Sequence, residues 1–161
     1  MATKNNVQDA HISTQIKTLH GALVEIVSVI NEPQRDEVLL SEANVQLDRA
    51  LFPLLVGINH FGPIGVVDLA NRAGRDYTTI SRQLTKLEKL GLIERRGAEA
   101  DRRVREAIVS PKGAEILLKI EAARDRIGRA IFSTWTKDDV DSLVKLMCRF
   151  ADEIGRRPLD K

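Results

Sequence analysis

Between Arg95 and Arg105 the chain reads RRGAEADRRVR, five arginines within eleven residues. A guanidinium is a planar fork of donors with a permanent charge, suited to holding phosphate or carboxylate. A second polar set lies just upstream: Thr78, Thr79, Ser81, Arg82, Thr85 and Lys86, with no acidic neighbour on that face before Glu88. Hydroxyls bond bases or phosphates, and arginine grips guanine or phosphate. An ordinary solvated face is also polar, and an isolated charge run is often no more than that. The elements that carry these residues decide between the two readings.

The chain has 161 residues, enough for one domain with helical extensions and a real hydrophobic interior. Hydrophobic residues make up 43% and charged residues 30%, the composition of a folded protein rather than a disordered one. Cys148 is the single cysteine, which excludes an intramolecular disulfide framework and a thiolate-rich metal site. No apolar run approaches the ~20 residues of a membrane span, and the polar start MATKNNVQDAHIS does not read as a signal peptide. A cytoplasmic protein is expected. Charge is unevenly spread. Residues 1–63 carry a net −3, residues 64–113 a net +4 and residues 114–161 a net +1. A basic middle between less basic flanks is the footprint of a nucleic-acid-binding segment.

The first predicted helix runs from about Val7 to Ile30. Ile12, Ile16, Leu19, Leu23, Ile26 and Ile30 recur at 4, 3, 4, 3, 4, an apolar stripe, and Pro33 is expected to end it. A second helix is expected over Leu47–Asn59, with a late start or a kink forced by Pro53. FGPIG then breaks the chain. A short helix fits Val66–Arg72, a turn fits Ala73–Arg75, and a longer helix fits Tyr77–Leu90 with Asp76 as its N-cap and Gly91 as its stop. Leu92–Arg96 and Val104–Val109 read as strands joined by the loop Gly97–Arg102. A long helix opens at Pro111, with Ile116, Ile120, Ala123, Ile127 and Ile131 inward, and Thr136 caps a last helix carrying Val140, Leu143, Met147, Phe150 and Ile154.

Helix, turn, helix, strand, loop, strand is the order of a winged helix-turn-helix. Ala70 is small where two helices must cross, Gly74 can take a positive φ in the turn, and Ile80 plugs the space between the helices. The predicted fold is therefore mainly α: a winged helix-turn-helix with long N- and C-terminal helices, whose apolar stripes fit either an intramolecular core or a dimerisation region. The divisions expected are 1–46 for the N-terminal helix, 47–112 for the DNA-binding lobe and 113–161 for the C-terminal helices. In this frame Tyr77–Leu90 is the recognition helix, entering the major groove N-terminus first. Arg95 and Arg96 lie on the outgoing strand of the wing and Arg102, Arg103 and Arg105 on the return, where a narrow minor groove attracts arginine. Asp101 would pair with a neighbouring arginine and fix its direction.

DLANRAGRDYTTISRQLTKLEKLGLIERR, followed by Asp101-x-Arg103 and then IVSPKG, resembles the MarR family of bacterial transcription regulators over about residues 47–131. The resemblance implies that Arg103 is the wing-tip arginine entering the minor groove and that Asp101 orients it. It further implies a homodimer whose chain-end helices interlock, binding pseudo-palindromic double-stranded DNA. In such a dimer Ile12, Leu19 and Ile26 of the first stripe and Leu143, Met147 and Phe150 of the last are the expected contacts. Members often bind small aromatic anions between the dimer helices and the DNA lobes, so a repressor released by a phenolic ligand is the leading expectation. Pro53 and Glu106, a charge in the return strand, depart from the family pattern.

Enzyme chemistry is not expected. His11, His20 and His60 lack metal-ligand spacing, and there is no Gly-rich phosphate loop or nucleophile elbow. No cofactor and no metal are expected. His20 reads as a packing residue, Cys148 as a small core residue and Trp135 as packing at a helix junction. The competing function is a winged-helix protein-interaction module that does not bind DNA.

Overall fold

The computed structural model describes residues 2–98 and 104–156, with side chains from residue 11 onward. The chain divides into two compact units, residues 1–120 and 121–161.

In the first unit, α1 (Ala2–Ile30) is followed by α2 (Pro33–Glu42). α1 ends at Ile30, just ahead of Pro33 as expected, and Pro33 then opens α2 in its first turn, where the missing N–H is no loss and the fixed φ is already helical. α3 (Phe52–Phe61) starts five residues later than the earliest sequence boundary, and Pro53 lies in its first turn. That placement removes the conflict a proline would cause in a helix interior.

α4 (Val66–Ala73) ends at Gly74, whose φ of 59° supplies the left-handed turn. α5 (Tyr77–Lys89) begins at Asp76, and Gly91, with φ 72°, follows its last turn. β2 (Ile93–Gly97) and β3 (Arg105–Val109) form the wing, antiparallel with Ile93 opposite Val109 and Gly97 opposite Arg105. A short strand unforeseen in the sequence, β1 (Ile64–Gly65), pairs with the other edge of β3, so the sheet order is β1-β3-β2. Glu106 thus sits in the central strand, across from Gly65 on one side and Arg96 on the other.

Leu51, Leu54, Leu55 and Ile58 of the α3 region, Leu69 and Ala70 of α4, Ile80, Leu84 and Leu87 of α5, and Ile64, Leu92, Ile93 and Ala107 around the sheet form one buried core. Ala70 and Ile80 are both buried beside the Gly74 turn, which is the arrangement their spacing predicts. Ile80, Leu84 and Leu87 fall four and three residues apart on the same side of α5, which presses that helix onto α4 and the sheet.

α6 (Pro111–Ile131) starts in the first unit and runs into the second, which it shares with α7 (Lys137–Arg156). Thr136 caps α7 as expected: its hydroxyl accepts the Asp139 amide at 3.2 Å and donates to the Asp139 carboxylate at 2.6 Å. α7 buries none of its side chains. Cys148, expected in a core, is therefore exposed. His20, expected to be packed, is exposed on α1. The Trp135 ring stands edge-on against Phe132 at 5.3 Å and remains 46% exposed. Among the described residues no helix is long and apolar enough to cross a membrane.

Candidate nucleic-acid interface

The N-terminus of α5 is fixed by Asp76, which accepts the Thr79 amide at 2.8 Å through one carboxylate oxygen and the Thr79 hydroxyl at 2.6 Å through the other. One orphan donor of the first turn is satisfied, and the negative charge complements the positive end of the helix dipole. Those two bonds, the hydroxyl first and then the amide, hold the Asp76 carboxyl below the ordinary carboxylate range. A pKa lower in the folded state stabilises the fold above the ordinary range, near pH 4, and the contribution fades as pH falls through the lowered value. Asp76→Ala is accordingly expected to lower the thermal midpoint at pH 7, with the gap to the parent narrowing below about pH 4. Parallel midpoint curves for the two proteins down to pH 3 would contradict this role.

Along α5 the residues fall into three stripes, each rotated by ~100° from the last. Ile80, Leu84 and Leu87 are buried in the core. Ser81, Thr85 and Glu88 form the next stripe. Thr78, Arg82, Lys86 and Lys89 form the third, directed away from the core and exposed. The sequence-predicted set therefore separates. Thr78, Arg82 and Lys86 stand free on the outer stripe. The Thr79 hydroxyl is engaged with Asp76, and the Thr85 hydroxyl donates to the Ser81 carbonyl at 3.0 Å. Gln83 donates from its amide to the Ala50 carbonyl at 3.3 Å, tying the chain before α3 to the flank of α5.

On the wing, Arg96 is exposed on β2, while the neighbouring Arg95 turns to the other face of the strand and lies along α5. The Arg105 side chain donates to the Arg95 carbonyl at 3.2 Å. Asp101, Arg102 and Arg103 lie outside the described residues.

A cavity of about 580 Å3 opens elsewhere in the same unit, floored by Leu54, Phe61 and Leu69 and bordered by Arg49, Arg72 and Arg75. The Arg72 guanidinium lies 4.2 Å from the centre of the Phe61 ring, a cation–π contact. Asp36 is the acid on its wall. Burial raises that carboxyl above its ordinary range, and Arg49 offsets part of the rise. The sequence reading missed this cluster, because its arginines lie 23 and 3 residues apart and are brought together by α3 and α4. Among the described residues no group of three His, Cys, Asp or Glu side chains is placed to hold a metal ion.

The family model described as MarR family matches residues 47–104, the span from the approach to α3 through the start of the wing's return. A crystal structure of MarR superposes with a TM-score of 0.63 at 29% identity, covering 86% of this chain and 98% of that one. Over this winged-helix lobe the chain is similar to the MarR family. Members of that family are transcription regulators rather than enzymes. A MarR family protein from Bacillus stearothermophilus shares that fold at a TM-score of 0.71 and 19% identity, over 89% of this chain and 98% of that protein. The uncharacterized HTH-type transcriptional regulator YsmB of Bacillus subtilis (strain 168) is 24% identical over 108 residues, 65% of this chain and 74% of that protein. Staphylococcus aureus MarR, solved in complex with salicylate and kanamycin, superposes with a TM-score of 0.65 at 15% identity, over 92% of this chain and 98% of that one. Within this fold, Pro53 and Glu106 are accommodated by the first turn of α3 and the central strand respectively.

Proposed function

We propose that this chain is a MarR-family member, a cytoplasmic, homodimeric, sequence-specific DNA-binding repressor that a small aromatic acid releases from its operator. The observation that carries the reading is the outer stripe of α5. Thr78, Arg82, Lys86 and Lys89 are exposed, hold no acidic residue among them and lie opposite the buried stripe. In this reading α5 enters the major groove, with Thr78, Thr79, Ser81, Arg82, Thr85 and Lys86 at or near it. Arg96, Arg102, Arg103 and Arg105 bring the wing to the adjacent minor groove, with Asp101 orienting Arg103.

Residues 47–112 are then the DNA-binding lobe, and residues 1–46 and 113–161 serve dimerisation. The exposed apolar faces of the chain ends support that assignment. Ile12 is 48% exposed, Leu19 39%, Ile26 46%, Leu143 36% and Met147 38%, while Phe150 is half-buried. Water-facing apolar rows on two long helices are surfaces that association would cover. Two-fold symmetry then sets the recognition helices about one DNA turn, or a multiple of it, apart. The cavity with Arg49, Arg72 and Arg75 at its border supports an acidic effector, since guanidinium forks match a carboxylate and the floor is apolar. Release requires the acid to bind the DNA-free conformation more tightly than the DNA-bound one.

The test is footprinting on DNA upstream of the protein's own gene, with and without a panel of phenolic acids. Two protected half-sites, erased by one or more of the acids, are expected. A protein that protects no upstream DNA contradicts the reading. Arg82→Ala is expected to weaken operator binding by about 1–3 kcal/mol and to relax preference at one position in each half-site. A randomised-site selection returning the parent's motif with the same information content would reduce Arg82 to a phosphate contact.

A further inference from the structure

We infer that Arg95 is a positioning residue, a bracket that sets the angle of the wing against α5, and that its guanidinium does not touch DNA. The inference rests on the reading of α5 and the wing as the DNA-binding surface. Arg95 is the middle residue of β2, and its side chain is only 17% exposed. One terminal nitrogen donates to the Ser81 carbonyl at 3.4 Å and to the Thr85 hydroxyl oxygen at 3.3 Å. Its Nε lies 3.5 Å from the Glu88 carboxylate. Ser81, Thr85 and Glu88 are spaced i, i+4, i+7, so all three bracket partners occupy the single stripe between the buried stripe and the outer stripe.

The backbone carbonyl of the same residue accepts from Arg105 on the return strand. Arg95 therefore joins α5 to both strands of the wing. Each contact is long and individually weak, but they converge on one planar fork, which no other side chain type reproduces. Successive residues of a strand face opposite ways. Arg95 turned toward the helix leaves Arg96 on the other face. The bracket also occupies the Thr85 hydroxyl, which donates to the Ser81 carbonyl while accepting from Arg95. Thr85 thus serves the bracket and not the bases, and the groove is left to Thr78, Arg82 and Lys86.

A residue that works by placing the wing loses its value when the wing's own contact is absent. A residue that touches DNA keeps it. The experiment is operator affinity for Arg95→Met and Arg95→Lys, each alone and combined with Arg103→Ala, using the full chain. Methionine keeps the apolar stem and removes the fork. Arg95→Met is expected to weaken binding about tenfold alone, and by less than about twofold in the Arg103→Ala background. Arg95→Lys should resemble Arg95→Met, because a point charge does not rebuild three divergent contacts. Thermal midpoints check that each variant is folded, and Arg95→Gln replaces Arg95→Met if the latter is not. Equal losses in both backgrounds, full recovery with lysine, or no loss at all would overturn the bracket. Parent-like binding by Arg103→Ala alone would overturn the wing reading and the bracket with it, a result distinguished by involving no change at Arg95.

Discussion

Deleting residues 137–161 is expected to convert the protein into monomers or aggregates and to abolish tight operator binding. The deletion removes α7, a helix of 20 residues with no buried side chain. Leu143, Val144, Leu146, Met147 and Ile154 are exposed along it. Each large apolar side chain covered on association contributes about 1.5–3 kcal/mol before the entropy of assembly is subtracted. Losing several of them exceeds what a typical dimer can spare. One winged lobe alone keeps half of the phosphate contacts and none of the benefit of a tethered second site, worth about a hundredfold or more in affinity. Light scattering and a gel shift on the truncated protein measure both effects. A well-behaved dimer with full affinity would place the interface elsewhere.

Gly113→Ala is expected to lower the thermal midpoint by roughly 5–10 °C, the consequence of overpacking where backbone must yield. The start of α6 is lashed to the turn after α5. Ser110 donates its hydroxyl to the Gly91 carbonyl at 2.6 Å and accepts the Gly113 amide at 3.0 Å. Its own amide donates to the Leu92 carbonyl at 3.0 Å, and Lys112 reaches the Leu90 carbonyl at 2.8 Å. A Cβ at Gly113 would fall on that Leu92 carbonyl oxygen and crowd a Val109 methyl. No rotamer relieves a clash with backbone, so the lashing itself must open. A parent-like midpoint in thermal unfolding would show that α6 does not seat on the turn this closely.

The recognition segment was legible because its signals are local. Asp76 as a cap, Gly74 and Gly91 at positive φ, and the period of Ile80, Leu84 and Leu87 all act within a few residues of where they stand. α2 was missed because a proline reads equally as a stop and as a first-turn residue, and only the chain beyond decides. β1 was missed because two residues carry no period. Ile64 and Gly65 become a strand only by pairing with β3, some forty residues downstream. Arg95 and Arg96 look alike as a doublet, yet strand alternation forbids both from facing one way. That was the available sign that one of them had a different task. The exposure of Cys148 and His20 was not legible either, since an apolar stripe states that a helix face must be covered and not by which chain.

Operator affinity measured between 50 and 200 mM salt tests the central claim most directly. Two winged lobes gripping one duplex neutralise about six to ten phosphates, so affinity should fall linearly on a log–log plot and drop by about 10³–10⁵ across that range. A fall of less than about tenfold, or no measurable binding at the lower salt, would contradict the account and leave the lobe as a surface for a protein partner.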